Sequence, residues 1–352
     1  MVGRVTLADL RSYARLELEL GPGLVLVTGP NGAGKTNLVE GIHLGCQGFS
    51  FRTRSDAQLI RHGAKAAAAT VEGRRGRVPM TSDVRLELQG SRRLRLDGVV
   101  VSSSEALRAR IQALVFTPDR LAVVKAGPAA RRAYFDRMLG RVFPARATIP
   151  AEYGAAIGQR NAALRRVAAG VSDRAALAPW NATVAELGSR LVEARHSAIA
   201  VLGPAFTELA EELGLADSRI AYAGEPLTSA ELEAGLARDL DRGSTGRGPH
   251  LDELPLLVGG QDLRSYGSQG EQRLAVLSLV LAEAEVLAAR GGVAPLLLLD
   301  DALSELDERR RRILSERLGR VGQAIVTATG AEALPLAPAQ LLRVAGGTVE
   351  NG

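Results

Sequence analysis

The sequence predicts an α/β fold in which a parallel core sheet, joined by an antiparallel one, is built from both chain ends around an inserted all-helical subdomain. Three observations carry this prediction. Residues 24–27 form an apolar run that enters a Gly-rich turn, Gly29 to Thr36, followed by a helical pattern over 37–44. A second apolar run, Pro295-Leu-Leu-Leu-Leu, ends in Asp300 and Asp301, as a central parallel strand does. Between them, residues 131–142, 151–169 and 175–213 place apolar side chains at helical spacing. The expected divisions are 1–120 and 244–352 for the two parts of the core and 121–243 for the insertion.

In chain order, residues 5–10 and 16–20 read as short strands, and 49–63 is irregular and polar. Residues 66–72 and 84–101 have strand character, with turns at Gly73, Gly76, Gly90 and Gly98. The alternation of Leu86-Glu-Leu-Gln and Leu94-Arg-Leu-Asp suits half-buried antiparallel strands. Within the insertion, Asp173 and Gly214 are end signals, and Pro204 is expected to break or kink the last helix. The polar, Gly-rich stretch 241–248 closes it. Residues 272–289 are apolar nearly all round, which predicts a buried helix. Ser304 is the expected N-cap of an Arg-bearing helix, and 323–329 and 341–349 complete the sheet.

Composition narrows the function classes. The 352 residues are 46% hydrophobic and 24% charged, as in an ordinary globular protein. A net charge of +5 permits a polyanionic partner without requiring one. Cys46 is the only cysteine, so neither an internal disulfide nor a Cys-based zinc site is expected. His43, His62, His196 and His250 lack metal-ligand spacing. The N-terminus lacks a signal-peptide layout. The most apolar stretch, 274–289, is broken by Glu283 and Glu285 and is too short to span a bilayer. A cytoplasmic location without a membrane partner is expected.

The turn matches G-x-x-x-x-G-K-[ST] in its strand–loop–helix context. Gly29, Pro30, Asn31, Gly32, Ala33, Gly34, Lys35, Thr36 and Asn37 would cradle the phosphates of ATP with backbone N–H groups and a helix N-terminus. Lys35 would reach the β- and γ-phosphates, and Thr36 would hold Mg²⁺. Only three lysines occur in the chain, so Lys at this position is a choice of chemistry. Asp300 would share the Mg²⁺, on a Walker B strand expected beside the phosphate-loop strand, and Asp301 would orient or deprotonate the attacking water. Ser268-Gln-Gly270, opening the buried helix, offers a second anion site suited to another subunit's γ-phosphate.

The order of phosphate loop, Ser-x-Gly, Walker B and Ser304-Glu-Leu-Asp307 resembles the ATP-binding-cassette (ABC) ATPases. Residues spread through the chain are similar to the RecF family of recombination mediators. They are Leu10-Arg-Ser-Tyr13, Gly34-Lys-Thr-Asn-Leu-Val-Glu40, Phe51-Arg52, Phe116-Thr-Pro118, Val124-Lys-Ala-Gly-Pro128, Arg131-Arg132 with Phe135-Asp136, Gly248-Pro-His250 and Tyr266-Gly-Ser-Gln-Gly-Glu-Gln-Arg273. The resemblance implies an ABC-type head that forms an ATP-dependent homodimer on DNA, duplex or gapped. It also implies a weak, DNA-stimulated ATPase with Lys35 and Asp301 as catalytic residues, and work with RecO and RecR in loading RecA during repair, replication and the SOS response. Two departures stand out. The family has Arg after Gly-Pro-His where this chain has Leu251, and Val326-Thr-Ala-Thr329 lacks a switch His, leaving Thr327 as its substitute.

DNA binding of this kind would rest on Arg–phosphate contacts. Candidates are Arg74, Arg75 and Arg77; Arg92, Arg93 and Arg95; and the run 309–312. Aromatics are 3% of residues, so base stacking is poorly provided for and duplex backbone binding without sequence readout is favoured. An ABC-type ATPase driving a protein complex without DNA contact is the alternative. A small-molecule kinase fits less well, because the Ser268 site implies a second chain.

Overall fold

The computed structural model describes residues 1–352, the side chains of Asp119 and Arg120 excepted. The chain opens with β1 (Val2–Leu10), β2 (Tyr13–Glu19), β3 (Leu24–Thr28) and α1 (Lys35–Gln47). Then come β4 (Ala66–Arg75), β5 (Val78–Glu87), β6 (Arg92–Leu96), β7 (Val99–Val101), α2 (Ser104–Arg110) and β8 (Ala113–Phe116). The helices α3 (Ala122–Lys125), α4 (Pro128–Val142), α5 (Ile149–Ala168) and α6 (Ala178–Glu212) follow. After them lie β9 (Ser218–Ile220), α7 (Ser229–Ala234), α8 (Leu236–Arg242), β10 (Leu256–Val258), β11 (Gln261–Asp262), α9 (Leu263–Tyr266) and α10 (Gln269–Gly291). The chain closes with β12 (Leu296–Leu299), α11 (Glu308–Arg320), β13 (Ala324–Ala328), β14 (Gln340–Ala345) and β15 (Thr348–Asn351).

Two compact units result, Met1–Arg120 with Leu287–Gly352, and Leu121–Val286. Residues 244–286, grouped with the core from the sequence, therefore fold with the helices. In the first unit the core sheet has the order β15-β14-β3-β13-β12-β8, parallel except for β15. Every residue of β3, β8, β12 and β13 is buried, which is why these strands are continuous apolar runs. β12 is not the neighbour of β3 as expected: β13 lies between them, paired to both. Apolar runs identify central strands but carry no order. The second sheet, β2-β1-β4-β5-β6-β7, is wholly antiparallel and alternates as the sequence predicts.

Helix α1 shares one apolar core with both sheets, Leu38, Val39 and Ile42 packing with Leu7, Val71, Val115 and Ile325. It approaches the antiparallel sheet at Gly41 and Gly45. A Cβ at Gly41 would lie 2.7 Å from Leu7 Cδ1, and one at Gly45 would lie 2.5 Å from Val71 Cγ2. The same helix face is thus small by necessity, and it fixes how far the phosphate loop stands from the sheet.

The second unit is helical apart from the short sheet β11-β10-β9. Its strands of two or three residues are too short to show a period. The longest helix, α6, runs 35 residues without a break at Pro204, the residue expected to break or kink it. Burial of Leu202, Phe206 and Leu209 outweighs the lost backbone bond. At the unit's centre the fully buried Arg160 donates to Asn181 Oδ1 at 2.7 Å, Asp239 Oδ2 at 2.7 Å and Thr245 Oγ1 at 2.8 Å. This guanidinium joins α5, α6, α8 and the loop after α8. Arg160→Ala leaves Asp239 buried and uncompensated, and we expect a loss of about 3–5 kcal/mol in stability, read from chemical unfolding. A loss below about 1 kcal/mol, the worth of an exposed pair, would show that the network is not a structural hub.

Candidate functional site

The first unit gathers its candidate site at the C-terminal ends of β3, β12 and β13, where ligands bind in open parallel sheets. The loop after β3 begins at Gly29, whose φ is +153°. A Cβ there would meet the Val344 carbonyl oxygen at 2.3 Å, so backbone conformation and space both demand glycine. Gly34, also at positive φ, precedes the first residue of α1. Its carbonyl accepts from the Tyr13 hydroxyl at 3.0 Å and from the Leu38 N–H at 2.9 Å. The Lys35 ammonium curls over the loop and donates to the carbonyls of Gly29 (2.6 Å) and Pro30 (3.0 Å). Burial lowers its pKa, opposed by the charges of Asp300 and Asp301.

A polar clasp faces this lysine. The Thr36 hydroxyl donates to both oxygens of Asp300, at 2.8 and 3.1 Å. The Thr327 hydroxyl donates to Asp300 Oδ1 at 2.8 Å and accepts the Asp301 N–H at 2.9 Å. Asp301 itself is exposed, sits at φ +53°, and has its carboxylate held by the Ser304 hydroxyl at 3.1 Å. Ser304 is therefore not the expected N-cap. Asp307 caps α11 instead, accepting the Arg310 N–H at 2.8 Å, because the turn after Asp301 spends Ser304 on that aspartate.

Burial raises the Asp300 pKa; the Thr327 and Thr36 hydroxyls oppose it, Asp301 adds to it and Arg52 subtracts. Thr36 and Asp300 supply clustered hard oxygen ligands of the kind Mg²⁺ takes. Among the described residues no group of three or more His, Cys, Asp or Glu gathers as a self-sufficient metal site. A cation here would depend on phosphate oxygens as well.

Sequence reasoning passed over the support beneath this loop. Glu40, fully buried in α1, takes a bidentate pair of bonds from Arg11 at 2.9 and 3.0 Å, a bond from the Ser50 hydroxyl at 2.5 Å and one from Arg52 at 3.3 Å. Arg52 also donates to Asn37 Oδ1, while the Asn37 amide donates to Ser12 Oγ at 3.0 Å. The motif Leu10-Arg-Ser-Tyr13 is thus a brace for the phosphate-loop helix. Its signal was a lone glutamate in the apolar stretch Leu38-Val-Glu-Gly-Ile.

Ser268 and Gly270 lie in the second unit, both exposed at the start of α10. Ser268 forms a capping box: its N–H donates to Glu271 Oε2 at 2.8 Å, and its hydroxyl accepts the Glu271 N–H at 3.2 Å. The bond from the Ser268 N–H is the main reason the Glu271 carboxyl stands below its ordinary range. The buried Gln272 amide donates to the carbonyls of Leu263 (2.9 Å) and Gly267 (3.1 Å), pinning this turn to the helix. In the same unit Leu251 is 53% exposed, while Asp252 takes the Tyr222 hydroxyl at 2.7 Å and Glu253 pairs with the buried Arg131 at 2.7 Å. The two acids after Gly248-Pro-His250 are thus engaged without a basic residue at position 251.

The Arg clusters differ in their freedom. Arg92 is tied to Asp56 and to the Gly48 carbonyl. Arg310 and Arg312 pair within α11, and Arg311 donates to the Leu303 carbonyl at 3.2 Å. Arg93 and Arg95 stand on the outward face of β6.

A phosphate loop, an Asp-ended strand and a threonine clasp on a parallel sheet flanked by an antiparallel one define an ABC-type ATPase head. The RecF/RecN/SMC N terminal domain matches residues 1–348. This chain belongs to the RecF family of DNA replication and repair proteins. It is 31% identical to the DNA replication and repair protein RecF of Lachnoclostridium phytofermentans, over all of both chains. It is 37% identical to RecF of Anaeromyxobacter sp. strain Fw109-5, over 91% of this chain and 90% of that one. A solved structure of the recombination mediator RecF with ATP superposes with a TM-score of 0.87 at 25% identity, covering 100% of this chain and 97% of that one. An Smc head bound to the ScpA winged-helix domain, at a TM-score of 0.65 and 15% identity, shares the fold. No helix among the described residues is long and apolar enough to cross a membrane.

One consequence concerns Asp300 alone. Because its folded-state pKa is raised, the ionised carboxylate works against folding; the penalty is absent below the ordinary value of 3.8 and complete once pH exceeds the raised value. Asp300→Asn should raise the unfolding temperature at pH 7 without divalent cations, and the gain should shrink as pH falls through that window. Melting curves that coincide across the pH range would show that burial of this charge costs nothing.

Proposed function

We propose that this chain is an ATP-dependent DNA-binding protein of recombinational repair and replication, switching between monomer and nucleotide-bridged dimer. The observation that carries the reading is the clasp of Thr36, Asp300 and Thr327 beside the phosphate loop. ATP phosphates lie along the loop amides and the N-terminus of α1, with Lys35 turning from its loop carbonyls to the phosphate oxygens. Thr36 and Asp300 would hold Mg²⁺, which supplies charge neutralisation to the phosphates when bound. Asp301 orients the attacking water and accepts its proton, its backbone held by Thr327 and its carboxylate by Ser304. Ser268 and Gly270 of a second copy cover the γ-phosphate with the free end of α10, so hydrolysis loosens the dimer. Weak turnover stimulated by DNA resets the protein, and family membership supports cooperation with RecO and RecR in loading RecA.

The DNA reading has its own support on the antiparallel sheet. Strand register lines up Arg15, Ala8, Ala68, Arg85 and Arg93 in one outward row across five strands. Arg85 and Arg93 stand directly opposite each other, a like-charge pairing that disfavours the sheet on its own. Ala8, Ala66 and Ala68 floor a trough of about 700 Å³ lined by Lys65 and Arg85 and, beside them, by Asp9 and Glu87. The small floor and the row of Arg15, Arg85 and Arg93 support close approach of a duplex backbone without base readout.

Three variants test the switch. Lys35→Met should abolish nucleotide binding or weaken it at least about a hundredfold. Asp301→Asn should trap an ATP-bound dimer on size exclusion, and wild-type turnover by this variant would remove Asp301 from catalysis. Ser268→Arg should bind ATP yet stay monomeric. For the surface, Arg85→Glu with Arg93→Glu should weaken duplex or gapped DNA binding about tenfold or more and lower the salt slope by about 2. If ATP drives dimerisation but DNA never alters affinity or turnover, the chain is an ABC-type ATPase of another partner.

A further inference from the structure

A half-open cleft of about 530 Å³ lies at the other end of the core sheet from the phosphate loop. Gly23, Gln112, Pro295 and Gln323 line it, and each immediately precedes the first residue of β3, β8, β12 or β13. It is thus a feature of the strand N-termini, about 16 Å from the nucleotide end for strands of this length. Nothing in the proposed ATPase cycle uses it.

Its floor is apolar. Val2, Met80, Ile111 and Leu296 each expose 5% or less of their surface and line it together, with Val293 at the rim. Its walls are cationic: Arg74, Arg75 and Arg110 line it, and among the described residues no carboxylate does. Arg75 is oriented by donating to the Ala109 carbonyl at 2.7 Å, and Arg110 reaches outward to Asp97 at 3.3 Å. The Arg110 Nε–H is buried with no acceptor, an expensive state for a charged group. Turns at Gly76, Gly292 and Gly322 edge the opening, leaving it accessible to a chain.

We propose that this cleft docks an acidic peptide segment of a partner protein, with carboxylates on the three arginines and an apolar side chain on the floor. Charge complementarity selects an anion, and the apolar floor selects among anions. A nucleic-acid backbone would leave the floor unused, and no aromatic side chain lines the cleft to stack a base. A free small acid fills a pocket that encloses most of its surface, whereas this cleft is open along one side. An acidic, apolar-bearing segment satisfies both walls and floor, in the manner of a peptide anchor in a charged groove.

The test uses the intact protein and fluorescein-labelled eight-residue peptides alternating Asp or Glu with Leu or Phe, read by fluorescence anisotropy. Binding is expected, with a loss of about tenfold or more in Arg74→Glu, whose side chain carries no structural bond. Val293→Trp, which fills the opening, should abolish it. Both variants should bind ATP as the unmodified protein does, showing that they fold. Peptides with Lys for the acids, or with Ser for the apolar residues, should fail to bind. The proposal is overturned if no acidic peptide binds at concentrations up to about 1 mM. It is equally overturned if binding survives both substitutions, if hexanoate competes as well as the peptide, or if duplex DNA takes the site instead.

Discussion

Two strands of the core sheet and the first turn of α1 meet in one hydroxyl–carboxylate clasp, and the geometry of the nucleotide site depends on it. Asp300 is almost fully buried, and a buried carboxylate is tolerable only when hydrogen-bonded. Thr36 and Thr327 satisfy it from opposite sides. In doing so they bring the first turn of α1, the end of β12 and the end of β13 to a common point. The same Thr327 oxygen takes the Asp301 N–H, so the buried acid and the exposed one beside it are set by a single side chain. Asp301 can then hold a left-handed backbone conformation that is uncommon for residues other than glycine.

Behind the clasp stands a second polar centre of opposite construction. Glu40 is buried in a helix whose neighbours are apolar, and Arg11, Arg52 and Ser50 together saturate its oxygens. Removing Arg11 would leave the buried carboxylate only the longer Arg52 bond and a neutral hydroxyl, so the brace locks α1 against the turn between β1 and β2. With Gly41 and Gly45 setting the approach of the helix to the antiparallel sheet, the phosphate loop inherits a fixed position from both sheets. Rigid scaffolding of this kind is what a preorganised phosphate site requires.

The second unit handles charge in a similar way at a different scale. Arg160, Arg131 and Arg195 are all buried, and each is paired. The Ser268 turn is exposed yet ordered by its own capping box and by the Gln272 amide. A serine whose oxygen already accepts from the helix can still donate its proton outward, so capping and anion binding are compatible uses of one hydroxyl. Exposed basic residues divide by the same test of partners. Arg92 and Arg310 are spent on local acids, whereas Arg85 and Arg93 oppose each other across the sheet.

The sequence by itself determined the pieces whose physics is local. A Gly-rich turn between an apolar run and a helix, an apolar run ending in two acids, and helical spacing over the middle third each follow from neighbouring residues. They put Lys35 and Thr36 at the junction of the turn and α1, and Asp300 and Asp301 just past the end of β12. What only the tertiary structure decided were relations between distant segments. β13 lies between β3 and β12, because strand order depends on crossovers that apolar runs do not encode. Pro204 stays inside α6 because burial of that helix outweighs a local rule. Ser304 serves Asp301 rather than capping α11, and Thr327 joins two acids some 27 residues away, because hydrogen bonds are assigned by proximity in space. The brace on Glu40 escaped for the same reason: its partners lie far apart in the chain and meet only once both sheets have closed on α1.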